Sequence, residues 1–374
     1  MSYSIFCVGH PLIDMQVRQA EDLLTKYNLK ANDAILADVE LESIYEELIR
    51  ERQVFYVAGG AAQNTARGAA YILPPNSVVF AGCVGDDELA EQLRAANKRE
   101  GVLDVYQVQK GQKTGACAVL ISKGHHRSLV TTLRAAKNLD EEHLWSPTVA
   151  PFMTSARVVY IEGFMLTHRP EISIQLARKV SEAGKVCCVP FIRQGACTDG
   201  LQIFVLNLAA PYIPRSYNTQ IQEIIPYCDI IISNEAEAEA WAASNDHTEP
   251  TNISSVAKAI ALLPKANVAS PRIVIVTHGA QSTTVVSAEN PDAPKIFPVQ
   301  PLKEEEIVDT NAAGDAFAGG FLGAYVSEKS IDVCIETGHR LAAMCVGQVS
   351  RVVASDECDY LILFRRVRSI SGQR

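Results

Sequence analysis

The 374-residue chain has 34 Lys and Arg against 43 Asp and Glu, a net charge of -9, and 48% of its residues are hydrophobic. That balance, with no long basic run ahead of the C-terminus, argues against a nucleic-acid partner but leaves phosphorylated ligands open, because local groups decide their binding. The opening "MSYSIFCVGHP" lacks the basic and long apolar regions of a signal peptide, and no apolar run reaches the roughly 18 residues of a membrane span.

In chain order, "SIFCVGHPLID" reads as a buried strand running into a turn. "ILADVELESIYEELIRERQ" has apolar residues at helical spacing with charged residues on the other face. "VFYVAGGAAQNTARGAAYIL" is a strand, a Gly-Gly turn and a helix, and "SVVFAGCVGDDELAEQLRAANKREG" repeats that theme. "TGACAVLIS" and "RSLVTTL" alternate as strands do. "ARVVYIEGFML", "IFVLNLAAPYI", "CDIIISNEAEAEAW" and "PRIVIVTHGA" each run from a β-branched strand to a turn or helix start. Strands alternating with helices predict an α/β domain whose mostly parallel sheet is covered on both faces. Ligands of such sheets bind outside the carboxyl ends of the strands. Residues 14–60 and 113–138 break the pattern and are expected to form a small lid over a large domain made of 1–13, 61–112 and 139–349. The ten cysteines show no paired zinc-type spacing, so buried reduced thiols of a cytoplasmic protein are expected.

Four stretches carry chemistry. In "EEIVDTNAAGDAFAGGFLGAYV" a strand ends, "NAAG" turns, and a helix opens with Asp315 in its first turn. Free N–H groups at a helix start make an anion site, and small residues let an anion approach them. An ordinary Asp there is ionised at neutral pH, favoured by the helix dipole, so the stretch can supply an oxyanion cradle and a general base together. "AGGAAQN" places Gly59 and Gly60 beside Asn64, which can hydrogen-bond hydroxyls. In "GHPLID", Asp14 at a strand end can accept from a diol. In "SNEAEAEAW", Asn234 and Glu237 share a helical face and suit a hydrated magnesium ion and phosphate oxygens. Singly, each is also an ordinary turn or helix-start residue.

Together these segments resemble the ribokinase-like (phosphofructokinase B) sugar and nucleoside kinases. "DTNAAGDAFAGGF" resembles that family's C-terminal signature, "AGGAAQN" its Gly-Gly signature and "NEAE" its Asn-x-x-Glu motif. "KYNLKANDAILA", "GHPLID", "NLAAPYI" and "TGHRLAA" resemble the branch acting on adenosine. The likeness runs in order from Ile5 to about Val349. It implies a three-layer α/β/α fold with a lid, and an ATP- and Mg2+-dependent phosphorylation of the adenosine 5′-hydroxyl in purine salvage. A monomer, cytoplasmic and also nuclear, is the matching expectation. Asp315 matches the family's catalytic base, and Ala312, Ala313 and Gly314 its anion hole. Asp14, with Gly59, Gly60 and Asn64, matches the ribose site, and Asn311 lies where the family contacts substrate and nucleotide. Leu12, Leu133 and Phe164 are implied walls for the adenine ring. Asn234 and Glu237 match the motif that organises magnesium and phosphates, Glu237 through water. Thr277, Gly279 and His339 match the ATP site, and Arg127 a lid arginine that reaches phosphate. A sugar kinase of the same family, or a catalytically impaired nucleoside-binding homologue, are the competing readings. A dinucleotide-binding dehydrogenase lacks its G-x-G-x-x-G after the first strand.

The chain also departs from the family. Ala312 stands where Gly is usual; alanine resists positive φ, so an ordinary backbone conformation is expected there. His10 stands where the adenosine branch often has Asn, and Ala61 replaces a frequent Ser. "VCCVPFIRQGACTDGLQ", Val186 to Gln202, is extra. Its ends suit a retained intron, since Val codons begin GT and CAG encodes Gln; a genuine surface loop is the alternative, and transcript sequence decides. Residues 350–374 do not resemble the family's ending.

Overall fold

The computed structural model describes residues 3–31, 34–122, 127–183, 202–307, 310 and 312–347. The strands, in chain order, are β1 (Ile5–Val8), β2 (Leu12–Arg18), β3 (Ala34–Leu36), β4 (Phe55–Gly59), β5 (Val78–Ala81), β6 (Cys83–Gly85), β7 (Val102–Asp104), β8 (Gln107–Gln109), β9 (Gly115–Ile121), β10 (Arg127–Thr132), β11 (Val158–Glu162), β12 (Ile203–Asn207), β13 (Ile230–Asn234), β14 (Ile273–Thr277), β15 (Ser282–Ser287) and β16 (Lys295–Pro298).

Nine of them form one sheet in the order β16-β15-β14-β13-β12-β11-β1-β5-β7. Pairing is parallel from β7 to β14 and antiparallel from β14 to β16. The parallel strands are near-continuous Val, Ile and Phe runs because both faces are covered. Along β1, Ile5 and Cys7 face one helical layer while Phe6 and Val8 face the other. The first layer includes the helices Ala61–Ile72 and Ala313–Val326; the second includes Pro170–Ala183, Glu235–Ser244 and Ile253–Ala261. This is the expected three-layer α/β/α arrangement. The chain leaves β1 toward β5 on one side and later returns to β11 on the other. Their carboxyl ends therefore open the crevice where a ligand has room.

A separate five-stranded sheet, β3-β10-β9-β2-β4, lies in the two segments that broke the sequence pattern. Its inner face buries Ile13, Met15 and Val17 against Leu23, Tyr45 and Leu48. Asp87 ties it to the large domain: the carboxylate caps the helix Glu88–Glu100 through Ala90 N and accepts from Thr114 N at 2.8 Å, just before β9.

Two local expectations change. The stretch expected as one helix, "ILADVELESIYEELIRERQ", splits into β3 and the helix Ser43–Glu51. Asp38 Oδ1 accepts from Leu41 N at 3.0 Å, a side-chain turn that competes with helix, while β10 supplies β3 with a parallel partner. Of the stretch "EEIVDT", expected to end a strand, Glu305 and Glu306 lie in a 3-10 turn at Glu304–Glu306, and Val308 and Asp309 lie outside the described residues. The stretch Val186–Gln202, apart from Gln202, and the tail 350–374 also lie outside them. Gln202 is buried and donates to the carbonyls of Met153 and Ala156 at 2.6 and 2.9 Å. The described cysteines Cys7, Cys83, Cys117, Cys228 and Cys334 are free and buried, and Cys345 is buried. Among the described residues no helix is long and apolar enough to cross a membrane.

Candidate active site

The Gly-Gly turn joins β4 to the helix Ala61–Ile72, and each glycine answers a different need. A Cβ on Gly59 would overlap the Asp14 carboxylate, so the missing side chain makes room for that group from β2. Gly60 caps the helix at φ 85°, and a Cβ there would strike the His10 carbonyl. His10 itself is buried, which drives its pKa down to about 3, with His168 adding to the shift; its imidazole is neutral at physiological pH.

Four residues further on, Asn64 Nδ2 donates to Asp315 Oδ2 at 2.9 Å, joining sites 251 residues apart in sequence. Glycine makes that approach physical. A Cβ on Gly319 would stand 2.7 Å from the Thr65 carbonyl oxygen, and one on Gly323 would press on Ile72. The helices Ala61–Ile72 and Ala313–Val326 thus cross with their backbones nearly touching. On the other side Gly320 meets the Thr337 carbonyl of the helix Ile331–Gly347. The "AGGFLG" run is the seam holding the centre together. Thr65 Oγ1 adds a bond to the Asp315 carbonyl at 3.3 Å.

Ala312 corrects the sequence expectation. It lies in the left-handed region at φ 58°, ψ 9°, as N-cap of the helix Ala313–Val326. Such a conformation costs an L-residue about 1–2 kcal/mol. No side chain caps this helix start, so none of its own side chains meets its first N–H groups. The Ala313 amide is a weaker member of the expected anion hole, since it donates to Thr310 O at 3.4 Å. Asn311 lies outside the described residues.

Asp315 also differs from an ordinary aspartate. Burial raises its pKa to about 6, against the opposing Asn64 hydrogen bond and Arg67 charge. Beneath it, at the end of β11, Glu162 is buried; burial and then the Asp315 charge push its carboxyl well above the usual range. Tyr160 donates to Glu162 Oε1 at 3.2 Å. The sequence reading singled out neither Glu162 nor Tyr160. The available signal was a carboxylate closing an apolar strand in "VVYIEG".

Asn234 and Glu237 do come together, as a helix cap. Asn234 Oδ1 accepts from Glu237 N at 2.8 Å, while Glu237 accepts from Asn234 N at 3.0 Å and from Asn234 Nδ2 at 2.8 Å. This reciprocal capping box starts the helix Glu235–Ser244. Glu237 is buried, and burial, then nearby carboxylates including Asp315, raise its pKa to about 7 against the bond from the Asn234 backbone. Thr277 stands beside Asn234 in register at the end of β14 and bonds the Ser233 carbonyl at 3.3 Å. Gly279 follows at φ 51°. His339 Nε2 lies 2.8 Å from Thr283 Oγ1, with its ring 5.6 Å from that of Phe317.

A cavity of about 370 Å³ lies between the two sheets' loops, lined by Leu36, Thr132, Leu133, Arg134 and His168 among others. Leu133 lies in its wall. Leu12 approaches from beside Gly115, next to the Leu133 carbonyl, whereas Phe164 packs toward Tyr212 with ring centres 6.2 Å apart. Arg127 opens β10; its side chain lies outside the described residues. His168 and the Arg134–Glu42 pair are additions that the sequence did not mark.

A buried carboxylate at an uncapped helix start, bonded to the helix that follows a Gly-Gly turn, on a three-layer sheet, is an arrangement that fits a small-molecule kinase of the pfkB type. The pfkB carbohydrate kinase family matches residues 21–357, and the chain belongs to that family. Within it, the chain is 53% identical over 348 residues to adenosine kinase of Schizophyllum commune, covering 93% of this chain and 96% of that one. It is 38% identical to adenosine kinase of Schizosaccharomyces pombe, with 92% and 94% covered. Among solved structures, Anopheles gambiae adenosine kinase in complex with P1,P4-di(adenosine-5) tetraphosphate superposes with a TM-score of 0.84 at 36% identity, covering 93% of this chain and 96% of that one. Schistosoma mansoni adenosine kinase in complex with 2-fluoroadenosine gives 0.83 at 29% identity, with the same coverage.

Proposed function

We propose that this chain is an adenosine kinase, transferring the γ-phosphoryl group of ATP to the adenosine 5′-hydroxyl to give AMP and ADP in purine salvage. The observation that carries the reading is the Asn64–Asp315 pair at the mouth of the helix Ala313–Val326, with the Asp14 carboxylate seated over Gly59. Asp14 accepts from the ribose 2′- and 3′-hydroxyls, which directs the 5′-hydroxyl toward Asp315. Asp315, with its pKa raised to about 6 by burial, is ionised at neutral pH yet a better proton acceptor than a solvated aspartate. It takes the proton as the 5′-oxygen attacks. The amides of Ala312, Gly314 and Asp315 face the charge that spreads over the transferring group.

A magnesium ion fits this donor set through water. Among the described residues no group of three His, Cys, Asp or Glu side chains converges to ligate an ion directly. Yet the Asp315 charge lies close enough to push up the carboxyls of both Glu162 and Glu237, a concentration of negative charge that a hydrated cation relieves. Glu237 would hold such an ion by its remaining lone pairs, and the ion would neutralise phosphate charge. The five-stranded sheet and its cavity would act as the lid that excludes water.

The test is a coupled ADP-release assay of the purified protein with ATP, magnesium, and adenosine or ribose. Adenosine-dependent turnover is expected. Phosphorylation of ribose but not adenosine would reject the assignment.

A further inference from the structure

We propose that Arg67 is a positioning residue of the phosphoryl-transfer centre: it fixes which end of the Asn64 amide faces Asp315 and sets a positive charge behind the base. The proposal rests on reading Asp315 as that base.

Arg67 is 1% exposed and is among the largest fully buried side chains of the molecule. It sits mid-helix, three residues after Asn64 and on the same face. Its Nη2 donates to Asn64 Oδ1 and to the Ala58 carbonyl, each at 2.8 Å, and its Nε lies 3.3 Å from Glu100 Oε2. Burying a guanidinium is costly even when it is paired. A Leu or Met would fill the space at lower cost, so packing does not account for the choice.

The donor inventory does. A guanidinium only donates, and an ionised carboxylate only accepts. Asn64 lies between them, so its oxygen must meet Arg67 and its NH2 must meet Asp315. The two bonds, 2.8 and 2.9 Å, are both satisfied in one orientation of the amide and both lost in the other. The chain Glu100–Arg67–Asn64–Asp315 runs through three helices and ends on the proton-accepting carboxylate. The groups around Asp315 give Arg67 its second role. From the helix Ala61–Ile72 come Asn64, Thr65 and Arg67; from β11 come Tyr160 and Glu162; from the helix Glu235–Ser244 comes Glu237. On the helix Ile331–Gly347, His339 packs on Phe317. The Asp315 charge pushes the carboxyls of Glu162 and Glu237 up, while the Arg67 charge favours ionisation of Asp315.

The experiment measures kcat and KM for adenosine against pH in wild type and in Arg67→Lys, Arg67→Gln and Arg67→Met, with thermal melts to fix a temperature at which each is folded. Arg67→Met removes both donor and charge; kcat should fall about 100-fold with KM within about threefold of wild type. Arg67→Gln can still donate to Asn64 but is neutral, so its acid limb should move up by about 0.5 pH unit or more. Arg67→Lys keeps the charge and one donor and should leave the limb in place. A folded Arg67→Met with wild-type kcat would overturn the proposal. If Arg67→Met does not fold, the other two decide: coincident acid limbs in Arg67→Gln and Arg67→Lys overturn it. Asp315→Asn separates the two readings. Full turnover in that variant removes the base assignment itself, whereas an inactive Asp315→Asn beside unaffected Arg67 variants removes only the role of Arg67.

Discussion

Two helix starts at the carboxyl edge of the sheet are finished in opposite ways. The helix Glu235–Ser244 closes on itself: Asn234 and Glu237 exchange hydrogen bonds, and its first N–H groups are met by its own side chains. The helix Ala313–Val326 has no side-chain cap and enters through an alanine held in a left-handed conformation. Both carry an acidic residue in the first turn. In one, the carboxylate serves the helix. In the other, Asp315 is turned to Asn64 and no side chain meets the first amides. A helix whose own residues do not satisfy it is the one available to a ligand, and its strain marks it.

The contrast can be broken most sharply at the carboxylates. Asp315→Asn should lower kcat by about 10²–10⁴-fold with little change in stability, read by steady-state kinetics beside a thermal melt. Next comes pH. A base whose pKa burial has raised to about 6 loses its proton-accepting form as pH falls through that value. The rate should therefore be level above about pH 7 and drop about tenfold per unit below 6. A limb near the ordinary aspartate value would reject the buried base. At the closed helix the effect should appear in stability: Asn234→Ala removes the cap and should cost about 1 kcal/mol in denaturant unfolding. The smallest change sharpens the open helix. Ala312→Gly relieves the left-handed strain and should add about 0.5–1 kcal/mol, with kcat within about twofold of wild type. Destabilisation by that glycine would mean that Ala312 is not strained.

The residue order alone gave the alternation of strands and helices, because buried parallel strands must be continuous apolar runs and Gly, Asn and Asp must mark their ends. It also marked Asp315, Asn64, Asp14 and the Gly-Gly turn as candidates: singly each is an ordinary turn or helix-start residue, and only their ordered combination resembles the family. Arg67 and Glu162 were not legible. Nothing in "NTARGAA" or "VVYIEG" says that these charges are buried, because burial depends on helices brought from distant parts of the chain. The same holds for Ala312: alanine's own preference argues for negative φ, and packing at the helix mouth overrides it.

Local preference and periodicity are short-range properties, so the sequence by itself determined most of the elements and marked the candidate groups. Desolvation, helix crossing and the direction of an amide are set by atoms hundreds of residues apart. For that reason only the tertiary structure decided the raised pKa of Asp315, the seam at Gly319 that brings it to Asn64, and the buried arginine behind them both.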